Sequence, residues 1–469
     1  MAADPKAQSV ANGLLPIVRI EGQDTHWTMA ERQAHYGVPA VSVAVMEGGK
    51  IAWAEGFGVL DRESKRPANG DTMYMGASTS KPVTAMLVLQ HVERGILDLD
   101  VDIHTYVKSW HLPDNEFLRQ SPVTLRRCLN HTAGINVNGW PCQPKGEPLS
   151  TVMELLNGGP HNPHPPIVVN KVPGGVERYS GGGLLLAQMA IEEATGRNFA
   201  DLAREMIFEP LGMTRTTFEK ELPARFHDTI AHGHGPESEA IPGGWLVSSE
   251  MGAGGIFTTA PDYARFMLGC RDAWLGKKGA ILGKAYADQM MATYPDTSFG
   301  QGWQMIGKGP SRRMNHGGSN GGYQCEANLY LESGDGAVVM TSAVPGLFLF
   351  VEVHNGVADV YNWPEFLQPP RRIKPLDAQE TANIVGEYRI VSGIELPTLK
   401  VWQEDGVIKG QIEGLRAGVQ ELLRDEKTGR FCSQMGPYDT TATYAADGRV
   451  IALTTASTDG TVILKAVRD

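Results

Sequence analysis

The sequence predicts an α+β protein: an antiparallel sheet flanked by helices, a helical subdomain inserted into it, and a C-terminal antiparallel β domain of barrel-like form. Three observations predict it. Alternating runs read as strands within 41–59 and again after 298. Helix-like runs fill the stretch between. Beyond "QPPRRIKPLD", 368–377, the composition shifts to short alternating runs joined by Asp-Gly pairs. The expected domains are therefore 1–367 and 378–469, with 368–377 as a linker. A chain of 469 residues exceeds what one hydrophobic core usually spans.

"VSVAVME" and "KIAWAEGFGV" alternate around Gly48-Gly49, the signature of a hairpin. Pro82–Leu97 reads as a helix. Pro82 suits a first turn, where a missing N–H costs little. Val83, Met86, Leu87, Val88, Leu89 and Val92 cover most of its circumference, which predicts burial nearly all round. Within 122–220, "LLLAQMAIEEATG" and "FADLAREMIFEPLG" read as helices between Pro/Gly/His-rich loops. "FGQGWQMI", "YQCEANLYLE" and "AVVMTSA" then read as strands, with a Ser333–Gly336 turn. In the C-terminal domain, Asp405-Gly406, Asp447-Gly448 and Asp459-Gly460 supply hairpin turns.

Composition excludes several functions. A formal net charge of -11 argues against a nucleic-acid partner, which selects basic surfaces. The five cysteines, Cys128, Cys142, Cys270, Cys325 and Cys432, form no CxxC pair, so neither a zinc site nor a disulfide framework is signalled. No stretch reaches the ~18 apolar residues of a membrane span. "MAADPKAQSVANGLLPIVRI" lacks the apolar and basic regions of a signal peptide. A soluble chain, cytoplasmic or periplasmic, is expected.

"YMGASTSKPVTAML", Tyr74–Leu87, carries a lone lysine, Lys81, three residues after Ser78. From Thr72 to Val92 no carboxylate occurs. Ser78 at a helix start would share a face with Lys81. A serine hydroxyl is a poor nucleophile unless a base takes its proton. A lysine is such a base where burial disfavours its charged form. Backbone N–H groups at the helix start can hold a developing oxyanion. A rival serine lies in "GGSNG", 317–321, which matches the G-x-S-x-G elbow. That elbow needs a buried strand before it and a helix after it. "GKGPSRRMN" precedes it and a strand-like run follows, so Ser319 is set aside as nucleophile.

"VPGGVERYSGGG" places Tyr179 after a Pro-Gly turn, and "NHGGSNGG" places His316 at the lip of a strand. The order Ser78-x-x-Lys81, Tyr179-Ser180, His316-Gly317-Gly318 resembles the serine β-lactamase and penicillin-binding-protein superfamily. Within it the chain is most similar to the class C β-lactamase-related group, with family VIII esterases, D-aminopeptidases and DD-peptidases. "VTLRRCLNHTAGI" and "GGIFTTAPDYARFM" agree, and the likeness covers roughly 25–360. It implies a β-lactamase/transpeptidase-like fold and a set of roles. Ser78 would be the acylated nucleophile, Lys81 its base or relay, and Tyr179 the phenol that shuttles protons. His316 would stand where β-lactamases carry the lysine of Lys-Thr-Gly. The backbone N–H groups of Ser78 and Ser319 would form the oxyanion hole. Gly181, Gly317 and Gly318 would border the substrate.

Two departures matter. Gly181 replaces the asparagine the family often has two residues after its tyrosine. His316 replaces a permanent ammonium, and histidine near neutral pH is mostly uncharged. Both favour an esterase or peptidase over a β-lactamase. His131 in "LNHTAG" reads as structural. His161, His164, His232 and His234 read as loop histidines, since no HExxH occurs. Trp140 and Trp245 sit in Gly/Pro-rich loops as packing residues or substrate walls. The expected protein is a serine hydrolase acting through a covalent acyl-enzyme on a small-molecule or short-peptide substrate, without cofactor or metal. Short peptides with D-, non-standard or linearised cyclic character lead. Carboxylesters come next, then β-lactams or a silent penicillin-binding sensor. Homo-oligomerisation stays open.

Overall fold

The computed structural model describes residues 4–161, 164–393, 397–413, 419–457 and 462–468. The chain divides into two compact units. One comprises Pro39–Gly235 and Glu239–Leu347; the other comprises Met1–Val38, Pro236–Ser238 and Phe348–Asp469. In this division residues 1–38 and 348–377, including the expected linker, group with the C-terminal strands.

The first unit contains β1 (Ala40–Glu47), β2 (Lys50–Gly58), β3 (Met73–Ala77), β4 (Gln143–Pro144), β5 (Leu246–Val247), β6 (Ile256–Thr259), β7 (Gln304–Ile306), β8 (Arg313–Ser319), β9 (Gln324–Tyr330) and β10 (Gly336–Thr341). Its main sheet runs β2-β1-β10-β9-β8-β7, antiparallel throughout. The N-terminal hairpin thus pairs with the late strands, as the alternating runs at both ends require. Gly48 and Gly49 take positive φ of 59° and 80°, the backbone a tight hairpin turn demands. The helix Ala260–Trp274 packs on β1, β2 and β10. β3 and β6 form a separate pair that carries the chain into the helix Ser80–Glu93.

That helix is buried from Ser80 to His91. It starts two residues before Pro82 and stops four before Leu97. Gly95 ends it at φ 70°, and the N–H groups of Ile96 and Leu97 fold back onto the His91 carbonyl. "FGQGWQMI" is strand only over Gln304–Ile306; Gly302 turns the chain at φ 84° before it.

In the second unit the described residues form nine antiparallel strands between Gly386 and Val467. The sheet begins at Gln420–Glu421 and ends at Leu423–Arg424, which are separated in sequence by Leu422 alone, so it is nearly closed on itself. Tyr388, Val401, Phe431, Leu453 and Leu464 fill its core. Asp405-Gly406 turns with φ of 50° and 80°, and Gly448 with φ 84°; the Asp459-Gly460 turn lies outside the described residues. Arg32 grips Glu352 with two 2.7 Å bonds, both side chains buried.

Candidate active site

Ser78 lies in the turn between β3 and the buried helix, whose first residue is Ser80. The Lys81 N–H closes that turn on the Ser78 carbonyl at 3.0 Å. The spacing of three then brings the two side chains together. Lys81 Nζ stands 2.8 Å from Ser78 Oγ and donates to the Ala253 carbonyl at 2.7 Å. Lys81 is 2% exposed, a degree of burial almost never seen for lysine without polar partners. From the uncharged run around it in sequence, Ala77 and Ser78 line the site beside Lys81.

Tyr179 lies one residue before Ser180, the N-cap of the helix Gly181–Thr195. Ser180 caps that helix by accepting from the Gly183 N–H at 3.2 Å, and its hydroxyl donates to Val137 at 3.0 Å, which fixes the tyrosine's approach. The Tyr179 ring lies 4.8 Å from Lys81 Nζ and 6.2 Å from the His316 ring. Ser78, Lys81, Tyr179 and His316 therefore converge, although 238 positions separate the first from the last in number (316 − 78).

His316 is buried on β8. Its Nδ1 sits 2.6 Å from the Gly317 carbonyl oxygen, which can only accept, so Nδ1 carries the proton and Nε2 is a bare lone pair without a partner among the described residues. Burial, with the nearby Lys81 charge, pushes its pKa down to about 3. His131 packs on Tyr179 with centroids 4.4 Å apart and on Phe299 at 4.7 Å. Its Nδ1 accepts the Ser180 N–H at 3.2 Å, and burial holds its pKa well below the usual value. His131 thus braces Tyr179.

β7 pairs with β8 only as far as Asn315, so His316–Ser319 has β9 on one side and no strand on the other among the described residues. This open edge faces the turn that carries Ser78. A side chain at Gly318 would drive into the Gly76 carbonyl, two residues before Ser78.

A family model described as Beta-lactamase matches residues 28–360. The chain belongs to this family. It is a serine hydrolase. Penicillin-binding protein 4 of Amycolatopsis lactamdurans is 26% identical over 78% of this chain and 98% of its own length. Esterase EstB of Burkholderia gladioli is 28% identical over 48% of this chain and 58% of its own. Among solved structures, the octameric penicillin-binding protein homologue from Pyrococcus abyssi superposes with a TM-score of 0.60 at 19% identity, covering 94% of this chain and 98% of that one. The D-amino acid amidase from Ochrobactrum anthropi SV3 gives 0.58 at 21% identity, over 76% and 99%. These superpositions share the α+β architecture.

Within this beta-lactamase-family site, a cavity of about 200 Å³ adjoins Ser78 and Lys81, walled by Asn138, Trp140, Cys142, Glu250, Ala253 and Ser319 among others. Gly181, where an asparagine was noted as missing, begins its helix beneath the 138–139 loop. A Cβ there would meet the Asn138 carbonyl oxygen at 2.6 Å. Trp245 is not among the cavity's walls; it packs against His227 at 4.9 Å, with Lys145 over its face at 4.0 Å. His161 pairs with Glu154 at 3.0 Å, and His234 bonds the His232 and Ser342 carbonyls. No group of three or more His, Cys, Asp or Glu among the described residues could hold a metal, and none of their helices is long and apolar enough to cross a membrane.

Sequence reasoning passed over Phe299, Asn138, Cys142 and Glu250. Glu250 had a findable signal: it is the only formal charge between Glu239 and Asp262, the same pattern that exposed Lys81.

Proposed function

We propose that this chain hydrolyses short-peptide amide bonds through a covalent acyl-enzyme on Ser78. The observation that carries the reading is the 2.8 Å contact of Lys81 Nζ with Ser78 Oγ at the wall of a small cavity. Ser78 Oγ attacks the substrate carbonyl carbon and its proton passes to the lone pair of Lys81 Nζ, which must enter this step as the free amine. The oxyanion forms against the backbone N–H groups of Ser78 and Ser319. The C–N bond then breaks, and the amine leaves with a proton delivered by way of Tyr179, whose ring lies beside Lys81. Water attacks the ester that remains. Its proton returns along the same relay, and Ser78 is regenerated with release of the acid.

His316 supports a peptide or amide over a β-lactam. Uncharged, it offers no cation to a β-lactam carboxylate; its free Nε2 offers an acceptor to a substrate N–H. Carboxylester hydrolysis is the second reading, favoured by the likeness to Esterase EstB. One acyl-enzyme serves both. Turnover of alanine p-nitroanilide against p-nitrophenyl butyrate tests the order: anilide turnover absent beside rapid ester cleavage would reverse it. For either substrate, Lys81→Met is expected to lower kcat by about 10³-fold or more.

A further inference from the structure

The cavity beside Ser78 contains one carboxylate. Glu250 is 5% exposed and lies at the start of the short helix Met251–Gly254, whose Ala253 carbonyl accepts a hydrogen bond from Lys81 Nζ at 2.7 Å. Glu250 Oε1 would stand 3.5 Å from a Cβ on Gly254, and Gly254 is itself a wall of the cavity. The carboxylate and the nucleophile's lysine are therefore held on one small backbone segment. Yet Glu250 makes no ion pair within 4 Å among the described residues: Lys81 is occupied by Ser78 and Ala253. Burial raises the Glu250 pKa above the ordinary carboxylate range; hydrogen bonds from the Ser248 side chain and from the Glu250 and Ser249 backbone, together with the Lys81 charge, oppose that rise. The half-buried Cys142, which shares this wall, has its thiol pKa raised by desolvation and then by the Glu250 charge.

Those hydrogen bonds supply donors but no positive charge, and a buried carboxylate without a cation is costly to keep ionised. The cavity's volume of about 200 Å³ is below the 300–1,000 Å³ typical of sites for drug-sized ligands, so it suits one small acyl group. In an aminoacyl group the α-nitrogen is one carbon from the carbonyl that Ser78 attacks.

We infer that Glu250 forms an ammonium subsite, and that the substrate acylating Ser78 is an α-aminoacyl compound with a free amine, such as an amino-acid amide or an N-terminal residue of a peptide. The inference rests on Ser78 as nucleophile. The ammonium supplies the missing counter-charge, and an N-acylated substrate leaves Glu250 unpaired beside a neutral amide. A positioning role through Lys81 predicts something different: loss on every substrate alike.

The test compares alanine p-nitroanilide, D or L, with its N-acetyl derivative, on the wild type and on Glu250→Gln. Fluorophosphonate labelling of Ser78 is followed in both proteins. The wild type is expected to prefer the free amine by about 100-fold in kcat/KM, and Glu250→Gln to erase that preference while still labelling on Ser78. A wild type that favours the N-acetyl substrate overturns the inference without the variant, so misfolding of Glu250→Gln cannot shelter it. Parallel loss on both substrates, with Ser78 still labelled, overturns it in favour of a positioning role. Absence of Ser78 labelling in the wild type, beside turnover, overturns the nucleophile reading and this inference with it.

Discussion

The proton on His316 is fixed at Nδ1 by the Gly317 carbonyl oxygen 2.6 Å away, which leaves Nε2 open in a buried site. This pairing decides how the site answers to pH. The unfolded histidine titrates near 6.5, the folded one near 3. Between these values the unfolded chain binds a proton that the folded chain refuses, so stability is complete above about pH 6.5 and falls as pH drops toward 3. Urea unfolding across this window is expected to show a slope of about 1.4 kcal/mol per pH unit from His316. His131, depressed in the same direction, adds its own share. His316→Asn is expected to remove the first contribution and leave the second. An unchanged slope would contradict the buried neutral ring.

Gly318 brings β8 against the turn that carries Ser78. Gly318→Ala is expected to cost about 1–3 kcal/mol, because its methyl meets the rigid Gly76 carbonyl. Gly317, next to it, has only the Cys325 carbonyl at 3.5 Å, an ordinary contact. Gly317→Ala should therefore stay within about 0.5 kcal/mol. Thermal melts of the two variants, side by side, check the contrast.

Restoring the family's asparagine at position 181 is expected to harm rather than help. The side chain would enter the space held by the Asn138 carbonyl. Gly181→Asn should lower stability and turnover together; a gain in kcat/KM on the amide substrate would show that the loop yields.

In the second unit, the Arg32–Glu352 pair is bidentate and buried, with Tyr36 Oη also 2.7 Å from both partners. Glu352→Gln should cost about 3–5 kcal/mol, since it leaves a buried guanidinium without its charge partner. Trp27 stacks 4.0 Å from that guanidinium, so its fluorescence is a local reporter of the loss in denaturant titrations.

The sheet was legible because hairpin chemistry is local: Gly48-Gly49 and Asp405-Gly406 announce turns whose positive φ the structure adopts. Lys81 was legible because a charge in an uncharged run needs a reason. The end of its helix was misplaced by four residues, since Leu97 continues the apolar pattern while Gly95 stops the backbone. His131 and Phe299 were not legible as a brace for Tyr179. Their contacts join residues 168 positions apart in number (299 − 131), and no period in sequence records such a meeting. The crowding at Gly181 was hidden for the same reason: the sequence shows a missing asparagine but not the loop that takes its place.

The central claim is that Ser78 is the acylated residue. Intact-protein mass spectrometry after a fluorophosphonate probe, on the wild type and Ser78→Ala, tests it most directly. A single adduct is expected on the wild type, mapping to Ser78 and vanishing in Ser78→Ala. An adduct that survives the substitution, or maps to Ser319, would contradict it.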